Sequence, residues 1–207
     1  MTIVAGIDVG GQRKGFHAVA LDDRAVKAKM TSTSAVEVAE WCRAQGACVV
    51  AVDAPCEWRS ADRPRAAESA LMREGIHCFF TPTAREARSH PTNYFGWMLA
   101  GFELYGALRR SYPLLQSAEL PRNRAVCFEA FPQAIACRLS GCVVSAKTKK
   151  AVRRRLLEEA GLDTARLANI DEIDAGVCAL MARLALTGGA EMLGGPEDGF
   201  IVVPRRR

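Results

Sequence analysis

The chain has 207 residues, 49% of them apolar, and a formal net charge of +5. Those values exclude a disordered chain and allow one substantial core with room for an inserted subdomain. The charge permits contact with phosphate without demanding it.

Eight cysteines invite a disulfide or zinc reading. Cys48, Cys127 and Cys178 lie in apolar runs, where a thiol behaves as a small hydrophobe, and no Cys-x-x-Cys occurs. Reduced, buried cysteines are expected. No run reaches the roughly 20 apolar residues that span a bilayer, and no leader pattern opens the chain. A cytoplasmic protein without membrane contact is expected.

In chain order, Ile3-Val4-Ala5-Gly6-Ile7-Asp8-Val9 reads as a buried strand with an acid at its carboxyl end. Gly10 and Gly11 follow and permit a sharp turn or close approach by a ligand. An ionised carboxylate there costs several kcal/mol, by rough estimate, unless paired. Asp8 alone is equally readable as a metal ligand or a turn cap. Phe16 to Leu21 and Ala25 to Met30 read as two further strands, joined by polar turns at Gln12 to Gly15 and Asp22 to Arg24. Ser34 with Glu37 predicts a helix start, and Gln45-Gly46 its end. Cys48 to Val52 is a continuous apolar run, so it reads as a strand parallel to the first, and it too closes on an acid, Asp53.

Residues 57–122 read as an insertion riding on the sheet. It holds a loop through Arg65, a short helix to Glu74, an extended piece His77 to Phe80, and Ala84 to Thr92 with Arg85, Arg88 and His90. A helix follows whose Trp97 and Tyr105 read as core. Ala125 to Phe128 is a third buried strand, ending in Glu129. A helix starts at Phe131-Pro132. Lys147 to Gly161 is a basic helix, read as a solvated face in preference to a phosphate-contacting stripe. Asn169 with Glu172 caps the last long helix, which carries Asp171 and Asp174 on one side of its first turn. Phe200 to Val203 reads as an edge strand before a basic tail, Arg205 to Arg207.

Asp8, Asp53 and Glu129 thus each close a buried strand, and Asp174 opens a helix. If the strands are neighbours, their acids converge, repel one another, and call for Mg²⁺ or Mn²⁺. Two such ions about 4 Å apart support phosphodiester cleavage with no covalent nucleophile. The nearest nucleophile candidate, Cys56, has no histidine partner in sequence. Gly10, Gly11, Arg13, Lys14, Arg85, Arg88, Lys147 and Lys150 are the candidate substrate contacts.

The stretches Gly6-Ile7-Asp8-Val9-Gly10-Gly11, Val52-Asp53-Ala54-Pro55, Glu129-Ala130-Phe131-Pro132 and Asp171-Glu172-Ile173-Asp174-Ala175 resemble the family called domain of unknown function four-two-nine, nearly end to end. That family is regarded as a predicted nuclease of RNase H-like fold. More distantly, the opening and the last helix are similar to Holliday-junction resolvases. The resemblance implies a single α/β domain. Its mixed five-stranded sheet has order 3-2-1-4-5, helices on both faces, and a helical insertion after the fourth strand. It also implies an acidic metal site of Asp8, Asp53, Glu129 and Asp174, with Asp171 as a fifth member. RNase H proper carries a glutamate on its first helix, for which only Glu37 and Glu40 are available, and resolvases have Glu where this chain has Asp53. A metal-dependent nuclease acting on DNA or RNA is therefore expected. A phosphotransferase of the actin and sugar-kinase type and a non-catalytic binding module stand as alternatives. Oligomeric state is left open.

Overall fold

The computed structural model describes residues 2–11, 13–23, 25–60, 63–121 and 125–206. The expected turn positions Gln12 and Arg24, residues 61–62 of the expected loop, 122 at the expected end of the insertion, and Arg207 of the tail lie outside them.

The strands are β1 (Ile3–Val9), β2 (Phe16–Leu21), β3 (Val26–Ser32), β4 (Ala47–Asp53), β5 (Val126–Ala130), β6 (Ala190–Gly195) and β7 (Gly199–Pro204). The helices are α1 (Ala35–Gln45), α2 (Ala66–Arg73), α3 (Ala84–Ser89), α4 (Gly96–Leu108), α5 (Pro132–Ser140), α6 (Lys149–Glu159) and α7 (Ile170–Leu186). Among the described residues the strands form one sheet in the order β3-β2-β1-β4-β5-β7-β6. The expected order 3-2-1-4-5 therefore lies inside a sheet of seven strands, not five. β1, β4, β5 and β7 run parallel, while β2, β3 and β6 are antiparallel to their neighbours.

The two extra strands have a physical cause. Gly199–Pro204 is buried along its whole length, so it cannot be the edge. Ala190–Gly195, unread in the sequence because glycine and glutamate dilute its strand character, folds back on it and takes the edge instead. Gly199 closes that hairpin at φ +82, in the left-handed region that favours glycine. No strand forms at His77 to Phe80.

Each face of the sheet has its own cover. On one face α7 lies over β1, β2 and β4, and Ile173, Val177 and Leu180 pack with Val4, Val19, Ala51 and Phe128. On the other, α1 and α4 bring Val38, Cys42, Leu104 and Tyr105 against Ile7, Val50 and Val52. α2, from the stretch between β4 and β5, covers the added strands, with Leu71 and Ile76 packed near Ile201 and Val203. α1 begins at Ser34, whose side chain accepts from the Glu37 amide, and ends at Gly46. All eight cysteines are free, and Cys42, Cys56, Cys127, Cys137 and Cys178 are buried.

Gly6 decides how close α7 comes. A Cβ there would run into the backbone of Ala175 and Ala179 on α7. Gly6→Ala is therefore expected to lift the helix from β1 and destabilise the fold by about 1–3 kcal/mol, the usual range for overpacking. Urea unfolding checks this, and an unchanged midpoint would show that the helix can give way.

Candidate functional site

The site lies beyond the carboxyl ends of β1 and β4, where ligands bind in open α/β sheets. Asp8 and Asp53 are register partners on these parallel strands. Partners on adjacent strands point to the same face, with backbones about 4.8 Å apart. That face is the one covered by α7, whose first turn brings Asp171 and Asp174 over the strand ends. Asn169 starts that turn by accepting a hydrogen bond from the Glu172 amide at 2.8 Å, and the Glu172 carboxylate accepts from the Ala168 amide at 2.6 Å.

The four acids are not equivalent. Burial, then the charges of Asp174 and Asp171, push the Asp8 carboxyl up to about 7, against the pull of Lys14 and Arg153. Burial, then Asp8 and Asp174, hold Asp53 well above the usual carboxylate range. Asp174 is raised by burial, while Arg153 draws it back. Arg153 Nη1 donates to both Asp174 oxygens at 2.5 and 2.6 Å, and its Nη2 donates to Gln133 Oε1 at 3.0 Å. Lys14 Nζ lies 3.1 Å from Asp171.

Glu129 does not join them. It pairs in register with Val52, one residue before Asp53, and so faces the opposite side of the sheet. There Arg65 grips it with both terminal nitrogens, at 3.1 and 2.7 Å, and the Cys56 amide adds a bond at 2.9 Å. The expected convergence of three strand-closing acids is corrected to two.

Of the expected substrate contacts, only Lys14 reaches these acids through a bond. Gly10 donates its amide to Gly15 O, and Gly11 O accepts from Lys14 and Gly15, so both glycines build the β1–β2 turn. Arg13 is exposed there. Arg85 and Arg88 stand exposed on α3. Lys147 is exposed ahead of α6, and Lys150 reaches Ala168 O at 3.5 Å. The basic helix is more than a solvated face: Arg153 is buried on Asp174, and Arg154 donates to Thr164 O and Leu167 O.

Three residues of the site escaped the sequence reading. Arg153 stands three and four residues before the buried Leu156 and Leu157, and that spacing alone would have placed it on the inward face. His17 is the cross-strand partner of Asp8, with Nε2 3.9 Å from Asp171 and Nδ1 3.2 Å from Thr31 Oγ1. Only the hairpin register reveals it. Lys149, one turn ahead of Arg153, adds positive charge near Asp174.

The donor set suits a hard divalent cation. All four acids offer oxygen, and the mutual repulsion and burial that raise Asp8 and Asp53 are relieved by such an ion. Arg153 Nε is buried without a hydrogen-bond partner among the described residues, so its guanidinium is not locked on every side. As arranged, no three His, Cys, Asp or Glu side chains among the described residues could hold a metal ion. Lys14 and Arg153 occupy Asp171 and Asp174 instead.

No helix among the described residues is long and apolar enough to cross a membrane. No curated protein matches the sequence. Among solved structures, the Thermus thermophilus RuvC structure is similar at 20% identity and a TM-score of 0.49, over 92% of this chain and 99% of that one. Residues 6–198 match the family described as "Protein of unknown function (DUF429)". That match runs from within β1 through β6 and takes in both strand-end aspartates, and the chain therefore belongs to that family.

Proposed function

We propose that the protein is a divalent-cation-dependent phosphodiesterase acting on nucleic acid, with Asp8, Asp53, Asp174 and Asp171 as its acidic centre. The observation that carries this reading is the enforced pairing of Asp8 with Asp53 under the amino end of α7. A fold gains nothing from setting carboxylates side by side in a half-buried crevice, so their arrangement speaks for a ligand that needs them.

Bound Mg²⁺ or Mn²⁺ supplies a Lewis acid and an activated water. Asp8 and Asp53 would furnish oxygen donors to such an ion, beside Asp171 and Asp174, which Lys14 and Arg153 hold. Those two cations can also pair with the charge of a phosphate. His17, between Asp8 and Asp171, is placed to take a proton. Glu129 serves as an anchor, outside this chemistry.

The phosphotransferase alternative needs free glycine amides for phosphate. The Gly10 amide is spent on Gly15 O, which speaks against it.

The test is cleavage of a mixed panel of DNA and RNA with Mn²⁺. The parent is expected to cut at least one member, and Asp8→Asn to abolish the cut. No cleavage by the parent across the panel would favour a non-catalytic binding module. Thermal stabilisation by ATP with metal, and by nothing else in the panel, would favour the phosphotransferase.

A further inference from the structure

The stretch between β4 and β5 carries an unusual surface. Phe79, Phe80 and Tyr94 are 70%, 48% and 54% exposed. Phe80 borders a groove of about 600 Å³, together with Pro82, His90 and Phe95. Tyr94 packs on two of these lining rings from outside the groove: His90 lies 5.1 Å from Phe95 and 5.4 Å from Tyr94, and Tyr94 lies 4.9 Å from Phe95. On its inner side the groove meets Thr81, which accepts a hydrogen bond from Arg65. Thr81 also lines a smaller cavity of about 50 Å³ together with Glu68, Glu129, Trp97 and Asp53. Of two adjacent loop residues, Phe80 lines the groove and Phe79 the small cavity.

The charge around the groove is positive. Its one acid, Glu86, is tied to Arg59 by bonds of 2.9 and 2.8 Å. Arg85 stands one helical turn before the lining residue Ser89, and Arg88 stands beside it. Neither arginine makes an ion pair among the described residues. Exposed rings rimmed by cations suit unstacked bases on a phosphate backbone. A duplex keeps its bases stacked on one another and offers the rings nothing. A second copy of this chain suits the groove poorly, because a two-fold contact would set Arg85 and Arg88 against like charge.

We infer that this groove and the exposed ring beside it bind a single-stranded segment of nucleic acid, stacking bases on Phe80 and Tyr94. The inference rests on the phosphodiesterase reading and names its substrate class.

The experiment uses the full chain carrying Asp8→Asn, without metal, so that binding is read without turnover. Fluorescence anisotropy follows an oligothymidylate of about 20 nucleotides and a hairpin duplex of equal length. The single strand is expected to bind more tightly. Adding Phe80→Ala and Tyr94→Ala is expected to weaken it by roughly a hundredfold, about tenfold per lost stack. Both rings are exposed, so the melting temperature should hold, which separates lost stacking from lost folding. Arg85→Gln with Arg88→Gln is expected to flatten the salt dependence. A parent that binds single strands as tightly without the two rings overturns the groove and leaves the phosphodiesterase reading intact. So does a dimer that the two alanines dissolve, which would give the groove to a second copy. A parent that binds neither nucleic acid, and cuts none with Asp8 restored, overturns both.

Discussion

Replacing Arg65 with leucine is expected to destabilise the protein by about 3–5 kcal/mol, the range for removing one partner of a buried ion pair. Arg65 is 1% exposed and Glu129 is 5% exposed, so solvent cannot make up the loss. The guanidinium ties four segments together. It donates to Glu129 on β5, to Asp198 O in the β6–β7 turn at 2.7 Å, and to Thr81 in the loop before α3 at 3.4 Å, and it stands at the start of α2. Glu68 completes the set by accepting from the Thr81 amide at 2.9 Å and from its hydroxyl at 2.5 Å. Leucine would leave the buried Glu129 with the Cys56 amide alone and remove the nearby positive charge from Glu68, which keeps its bonds to Thr81. Such networks are strong when every member is satisfied and costly when one is removed. Urea unfolding reads the loss, and a change under about 1 kcal/mol would show that water replaces the arginine. Glu129→Gln adds the distinction that matters for function. An anchor leaves the stabilising response to Mn²⁺ in place, whereas a metal ligand would take it away.

Asp8→Asn is expected to make the metal-free protein more stable than its parent at about pH 8, an unusual sign for the loss of a charged side chain. The folded Asp8 carboxyl holds its proton up to about 7, against an ordinary 3.8. Between those values the folded chain binds a proton that the unfolded chain releases. The favourable contribution is complete below about 3.8 and is lost as pH rises through about 7. Its full size is at most about 4 kcal/mol, since Asp8 is partly exposed and shares its charge with Asp53 and Asp174. Asparagine cannot ionise, so it escapes the loss. Glu74, Glu86 and Glu172 are held low by their partners, while Asp53, Asp174 and Glu68 are raised by burial as Asp8 is. The difference between parent and variant melting temperatures across the pH series therefore reports Asp8 together with its charge coupling to Asp53 and Asp174. Mn²⁺ should reverse the order at about pH 8, stabilising the parent by mass action and leaving the variant unmoved. Identical pH profiles without metal would mean that the carboxylates are not crowded.

Glu129 owes its place to a pairing that consecutive residues do not encode. Three apolar runs each end near an acid, and all three acids look alike in the sequence. Side chains alternate along a strand, so a shift of one residue exchanges the faces. Asp53 pairs in register with Asp8, whereas Glu129 pairs with Val52, one residue before Asp53. That single step sends one carboxylate to the crevice and the other to Arg65. The same limit hid His17, which lies far from Asp171 along the chain and beside it across the hairpin. The capping residues Ser34 and Asn169, by contrast, act on amides three positions away, and local spacing is enough to read them.

By itself, then, the amino-acid order determined the alternation of strands and helices, the two helix starts at Ser34 and Asn169, and the aspartates at the ends of β1 and β4. These follow from hydrophobic period and short-range hydrogen bonding, both written in consecutive residues. Tertiary structure alone decided that β6 forms and takes the edge beyond β7, that Arg153 lies on Asp174, and that Glu129 belongs to the buried network of Arg65. Each depends on strand register or on which side of a helix meets the sheet, and those are settled when distant segments pack.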